Sequence, residues 1–233
     1  MKTELKKRLI NSIDFLRGMD FFKDHSNLSS EEILEKIFDG EIDYETQWFV
    51  EEESKRRPKE RSHGAYFKER LDEHEKEYMK KSTAEIDRDI AFFDAQRTFV
   101  EDPETVIRRG IAICLVKKLA RISRGIFQFT DIREEILEWR GKPPSALRKS
   151  YFGKGCHFKA YFWFKGDEQM VEFYSDADFL YLDSAIRKIN ELIKDTGYRY
   201  YSPFNVDYLN YVVLSKEDVE KLMKERGWRL FLP

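Results

Sequence analysis

Phe158-Lys159-Ala160-Tyr161-Phe162-Trp163-Phe164, then Lys165-Gly166-Asp167, then Met170-Val171-Glu172-Phe173-Tyr174 is the stretch that decides the fold class. Two runs rich in aromatic and β-forming residues flank a Gly-containing turn, which predicts an antiparallel hairpin. Downstream, Leu182, Ile186, Ile189 and Ile193 fall on one helical stripe that stops at Gly197. Strand-like runs follow at Tyr198 to Tyr201 and Tyr208 to Leu214. A helix from Ser215 to Gly227 and a terminal strand at Trp228 to Leu232 complete the order. The sequence β-β-α-β-β-α-β predicts a mainly antiparallel sheet with helices on one face.

Upstream of the hairpin the texture is helical. Leu5, Leu9, Ile13 and Leu16 mark an amphipathic helix up to Gly18, and Ser29 with Glu32 and Ser82 with Glu85 have the spacing of capping boxes. The helix after Ser29 ends at Gly40, a favourable left-handed terminator. Glu51, Glu52 and Glu53 each precede Lys55, Arg56 and Arg57 by four residues, the favourable order for helical ion pairs. A further helix is expected from Ala65 to Met79, and another through Ile86, Ile90 and Phe93, with Phe92 and Phe99 beside its stripe. Asp102-Pro103 has the residues of a helix start, and Val106 to Val116 is apolar on nearly every side, which predicts a central helix of the helical half. Ile132, Ile136 and Trp139 then suggest a short helix, with Thr130 or Asp131 as its cap, and Pro143 to Tyr151 a second one. The expected organisation is α+β: a charged, bundle-like helical domain over residues 1–125 and an α+β domain over 126–233.

Composition bounds the function. The charged fraction is 37% against an ordinary ~25%, and the aromatic fraction of 15% excludes a disordered chain. Cys114 and Cys156 both lie in apolar runs and read as buried thiols, which points to a reducing, cytoplasmic setting. The first residues lack the apolar region of a secretory signal, and the longest apolar run, Ile111 to Val116, is too short to span a bilayer.

Charge is unevenly distributed. From Arg108 to Lys165 there are fourteen Lys or Arg and four acids, a local balance of +10 in a chain of net charge −2, so the remainder carries −12. Such asymmetry suggests that one part meets an anion. The order helix, short helix, short helix, hairpin over residues 106–174 resembles a winged helix-turn-helix. The resemblance implies that the Pro143 helix enters a groove of DNA while the hairpin lies along the backbone. Ser145, Arg148, Lys149 and Phe152 share the outer side of that helix, with Leu147 and Tyr151 opposite, and Lys154, Lys159 and Lys165 would reach phosphates from the wing. DNA or RNA is therefore the expected partner of a non-enzymatic protein. The helical half would serve a protein partner or a second copy. The rival reading is an interaction or assembly module.

Other groups suggest chemistry less well. Cys156 and His157 are neighbours on a strand and point to opposite faces, so they cannot act as a nucleophile and its base. His63 and His74 would be three turns apart on one helix, too far to share a metal, and Leu71 occupies the place a di-iron Glu-x-x-His pair would need before His74. Asp176, Asp178 and Asp183 are the best acidic cluster, and Asp176 or Asp178 reads as a helix cap in preference to a Mg²⁺ or Ca²⁺ ligand. A third, weaker function is a metal-dependent enzyme built on that cluster. Gly153-x-Gly155 precedes a strand and is no dinucleotide fingerprint. Lys55 to Arg61 reads as a solvated helix end as readily as a basic address. Tyr198, Tyr200, Tyr201, Tyr208 and Tyr211 form either a stacking surface or half of a core. No cofactor, metal or catalytic residue is expected.

Overall fold

The computed structural model describes residues 3–43, 62–101, 110–139, 156–176, 179–203 and 209–233. Their helices are α1 (Thr3–Arg17), α2 (Ser30–Phe38), α3 (His63–Glu73), α4 (Glu75–Tyr78), α5 (Thr83–Ala91), α6 (Ile111–Ile122), α7 (Asp183–Leu192) and α8 (Lys216–Arg226). The strands are β1 (Thr98–Glu101), β2 (Thr130–Trp139), β3 (Cys156–Phe164), β4 (Asp167–Asp176), β5 (Phe179–Tyr181), β6 (Tyr198–Pro203), β7 (Leu209–Ser215) and β8 (Leu230–Phe231). They form two four-stranded sheets, and the fold class is α+β, as the hairpin reading predicts.

The chain makes two compact units, Met1–Val100 with Glu217–Leu230, and Glu101–Lys216 with Phe231–Pro233. This division differs from a cut at residue 125 in two respects. The apolar helix that begins at Ile111 belongs to the second unit, where it packs on β2 and β3. Residues 217–230 belong to the first.

In the first unit, Leu5, Leu9, Ile13 and Leu16 of α1 are all buried, and α1 packs on α2 and α5. Both capping boxes form, Ser29 with Glu32 and Ser82 with Glu85, each satisfying two otherwise orphaned backbone donors. Gly64 sits against the carbonyl of Ile37 so closely that a Cβ would collide with it, which is why α3 meets the end of α2 through a glycine. The helix expected from Ala65 to Met79 is interrupted at His74, which leaves helical geometry (φ −115°, ψ 27°). Phe99 is buried on the strand β1 and not on a helix. The helix expected around Glu51 to Arg57 lies outside the described residues.

α8 is fastened by its C-terminal end. The Arg226 guanidinium stacks 4.0 Å over the Phe15 ring and donates to Asn11 Oδ1 (2.9 Å) and to the Asn11 carbonyl (3.1 Å). Behind it Asp87 is fully buried. Trp228 Nε1 donates to its Oδ2 at 3.4 Å, and Arg226 Nε lies 3.6 Å away. Burial raises the Asp87 carboxyl above its ordinary value despite Ser12, Arg226 and Trp228, which pull the other way.

In the second unit, β2, β3, β4 and β5 pair in that order, each antiparallel to the next. The expected hairpin forms as β3 and β4, with Phe164 opposite Asp167. Its two turn residues, Lys165 (φ 52°) and Gly166 (φ 92°), both take positive φ, the conformation whose twist matches a tight hairpin. β3 buries Cys156, Phe158, Ala160, Phe162 and Phe164 on one face. α6 covers that sheet at β2 and β3, and α7 at β4. Leu182, Ile186, Ile189 and Ile193 are fully buried, as their stripe predicts, and Gly197 follows at φ 80°. β6 and β7 pair antiparallel, with Tyr200 opposite Val213.

Three expectations are corrected here. Thr130 to Trp139 is a strand and not a short helix. It turns Ile132, Glu134 and Ile136 inward and leaves Arg133, Glu135 and Leu137 exposed. The winged-helix order is therefore broken at its second element; Pro143 to Tyr151 lies outside the described residues. α6 starts at Ile111 behind a left-handed Gly110 (φ 84°), and its first turn is capped by Glu134, which accepts from Gly110 N (2.7 Å) and Ala112 N (2.8 Å). The Asp102-Pro103 start lies outside the described residues. Asp176 does not cap α7. It ends β4, the strand β5 intervenes, and the cap position is Leu182 with no side-chain bond.

Two measurements check these placements. Ile111 is buried in the second unit, so Ile111→Ala is expected to cost about 2–5 kcal/mol in urea unfolding; a loss under about 0.5 kcal/mol would mean a surface site. For Asp87 the raised folded value means the native state holds its proton more tightly than the unfolded chain. Stability therefore falls as pH rises from the unfolded value of 3.8 through the folded one, and the full penalty remains above it. Asp87→Asn is expected to remove that slope, and an unchanged pH profile of stability in the variant counts against it.

Candidate nucleic-acid interface

The face of the β2–β5 sheet opposite α6 and α7 presents side chains in rows across the strands, because residues two apart on a strand share a face. One row is His157, Tyr174 and Tyr181, the register placing His157 opposite Tyr174 and Tyr174 opposite Tyr181, with Leu137 beside it at a register shift of β2. The next is Glu135, Lys159 and Glu172, then Arg133, Tyr161 and Met170, then Thr130, Trp163 and Glu168. Three aromatic rings stand well out in solvent: Trp163 at 46% exposure, Tyr181 at 48% and Tyr174 at 38%. Leu137 joins them at 42%. The Tyr174 and Tyr181 rings stack, 5.8 Å between centroids.

Charge on this face is balanced locally. Lys159 Nζ lies 3.1 Å from Glu172 Oε1, and His157 Nε2 is 3.8 Å from the other oxygen of the same carboxylate. Arg133 stacks 4.0 Å over Tyr161 and reaches Glu168 at 3.0 Å. The Tyr161 hydroxyl donates to Glu135 at 2.7 Å. The bond to Glu172 raises the Lys159 ammonium above its ordinary value, and the bond to Glu135 does the same for the Tyr161 hydroxyl.

Of the expected nucleic-acid contacts, Ser145, Arg148, Lys149 and Lys154 lie outside the described residues. Lys159 is on the open face but engaged by Glu172, and Lys165 is in the hairpin turn, 5.3 Å over the Phe164 ring. The rings that dominate the surface were not among the expected contacts. Their signal is the polar-side alternation of β3, His157, Lys159, Tyr161 and Trp163, which is visible once the strand is assigned.

The tyrosine cluster divides. Tyr200 is fully buried and its hydroxyl donates to the Leu119 carbonyl at 2.7 Å. Tyr211 is buried and donates to Asp183 at 3.0 Å. Burial holds both hydroxyls well above the ordinary range. Tyr198 and Tyr201 are half-buried, and Tyr208 lies outside the described residues. These are mainly core residues. Asp183 serves as the acceptor for Tyr211, and Asp178 lies outside the described residues. No group of three or more His, Cys, Asp or Glu among the described residues could hold a metal.

Cys156 is buried and His157 half-exposed, so the two point to opposite faces. Burial first, and Glu134 second, push the Cys156 thiol up to about 12. No described helix is long and apolar enough to cross a membrane. No family model, curated protein or solved structure matches this chain.

The two thiols should differ in reactivity. With a chromogenic disulfide reagent at mildly alkaline pH, the half-buried Cys114 is expected to react in the native protein, while Cys156 stays silent until denaturant is added. Equal native rates would contradict the burial of Cys156.

Proposed function

We propose that this chain binds single-stranded nucleic acid, RNA or DNA, across the open face of the β2–β5 sheet. The observation that carries this is the set of exposed rings on one sheet face, the stacked pair Tyr174 and Tyr181 and, three rows away, Trp163, with His157, Lys159 and Arg133 on the rows from the pair towards Trp163. Bases offer a π-face to such rings, and each stacked base is worth about 1–3 kcal/mol. Successive rows lie about 7 Å apart, twice the rise along a strand of residues, so Trp163 stands roughly 20 Å from the tyrosine pair, a spacing that suits an extended single strand rather than a duplex.

The sequence offers a source of phosphate contacts. Residues 140–155 join β2 to β3 and contain Arg140, Lys142, Arg148, Lys149 and Lys154 with no acid. β2 ends at Trp139 and β3 begins at Cys156, at the end of the sheet that carries Leu137 and His157. Ser145, Arg148, Lys149 and Lys154 are accordingly proposed as backbone contacts, with Lys165 at the opposite end of β3. The helical unit would serve assembly or a protein partner.

A second reading, docking of a protein on the same face, is favoured by one observation. Glu168 and Glu172 neutralise Arg133 and Lys159 between the rings, and Glu135 adds a third carboxylate that accepts from Tyr161.

Fluorescence anisotropy with single-stranded and duplex oligonucleotides at several salt concentrations separates the readings. Trp163→Ala is expected to weaken single-strand binding by about 1–3 kcal/mol without changing the salt slope. Arg148→Ala with Lys149→Ala should instead make the slope of log affinity against log salt shallower by roughly one to two units. Absence of single-strand binding by the parent at low salt would end the proposal and leave the protein-docking reading.

A further inference from the structure

α6 ends at Ser123, and the residue after it is Arg124 in the left-handed conformation, φ 50°. That position ordinarily takes glycine, because any Cβ there crowds the backbone. A glycine is in fact next in the chain, at Gly125. The strained turn is held firmly. Arg124 N–H donates to the Arg121 carbonyl at 3.0 Å, Ser123 Oγ donates to the Ala120 carbonyl at 2.6 Å, and Phe127 N–H donates back to Ser123 Oγ at 2.9 Å. Phe127 itself is fully buried against Phe162 and Phe164.

The guanidinium at the end of this side chain is costly too. Its Nη1 and Nη2 are both out of solvent contact, and neither donates a hydrogen bond among the described residues. A buried charged donor without an acceptor loses hydration and regains nothing. The negative end of a helix dipole attracts a cation, which would account for an exposed arginine at this place but not for one whose donor atoms are buried. Two independent costs thus meet at one residue. Costs of that kind persist where a ligand repays them.

We propose that Arg124 anchors an oxyanion site at the C-terminal end of α6, and that the ligand is a phosphate group. Turned outward on its long side chain, the guanidinium presents a planar fork that matches two oxygens of one phosphate. The surrounding sequence favours a multiply charged anion. Between Glu104 and Asp131 there is no acid, and the cations are Arg108, Arg109, Lys117, Lys118, Arg121 and Arg124. The site stands apart from the open sheet face, and its existence does not rest on nucleic acid binding there.

Thermal melts in potassium phosphate and in potassium chloride of matched ionic strength test it, with the parent, Arg124→Gly and Arg124→Lys. Phosphate is expected to raise the parent Tm by several degrees, since it binds the folded state alone. Arg124→Gly, relieved of both costs, should melt above the parent in chloride and gain nothing from phosphate. Arg124→Lys should keep only part of the gain, as it retains the charge without the fork. Anisotropy with a short single-stranded oligonucleotide then identifies the source of the phosphate. Weaker oligonucleotide binding by Arg124→Gly indicates a polynucleotide backbone, and unchanged binding indicates a small phosphate compound. The inference is overturned if phosphate leaves the parent Tm unmoved, if Arg124→Gly melts below the parent in chloride, or if that variant keeps the phosphate response.

Discussion

The second unit depends on the burial of one broad face of α6. Ile111, Ala112, Leu115, Val116, Leu119 and Ile122 are all withdrawn from water, a stripe broad enough to be met by more than one element. β2 and β3 cover one part of it. From β6 the Tyr200 hydroxyl reaches the Leu119 carbonyl, fixing where that strand stands along the helix. The α6 N-terminus is fixed as well, because Glu134 of β2 satisfies two of its orphaned amides. Helix position, strand register and the side of the sheet left open are consequences of one packing problem.

The same carboxylate explains why β2 was hard to read. An inward row of three apolar residues would have shown the two-residue period of a strand. Glu134 stands in the middle of that row, so Ile132 and Ile136 are left four apart, and the Glu-rich composition favours a helix locally. Pairing with β3 overrides that preference. By contrast, the capping boxes at Ser29 and Ser82 and the turn at Lys165-Gly166 were legible, because in each the chemistry that forms the structure lies within a few residues. β5 is only three residues long and displaced the expected cap at Asp176, which no local pattern announces.

The candidate surface was legible only in part, for a similar reason. Tyr200 and Tyr211 look in the sequence like Tyr174 and Tyr181, yet the first two are core residues with hydroxyl partners and the second two face solvent. Alternation separates the faces of a strand but does not say which face a helix will cover. That is decided by α6 and α7, whose apolar sides leave one face of β2–β5 uncovered by them. Arg124 was invisible in the same sense: an arginine beside a glycine is unremarkable in sequence until the backbone puts the larger residue in the left-handed position.

The clasp of α8 on α1 has a consequence for the order in which the protein matures. The first unit is assembled from residues 1–100 and 217–230, with the second unit lying between them in the chain. As the polypeptide is synthesised, α1 to α5 emerge early but lack Leu222, Arg226 and Trp228 until all of residues 101–216 have followed. Meanwhile Asp87 and the Phe15 ring remain without the partners that cover them in the finished unit. The second unit, contiguous but for three residues, has most of what it needs first. Domains usually complete themselves from the N-terminus onward during synthesis. Here the last residues of the helical unit are made only after residues 101–216 of the other.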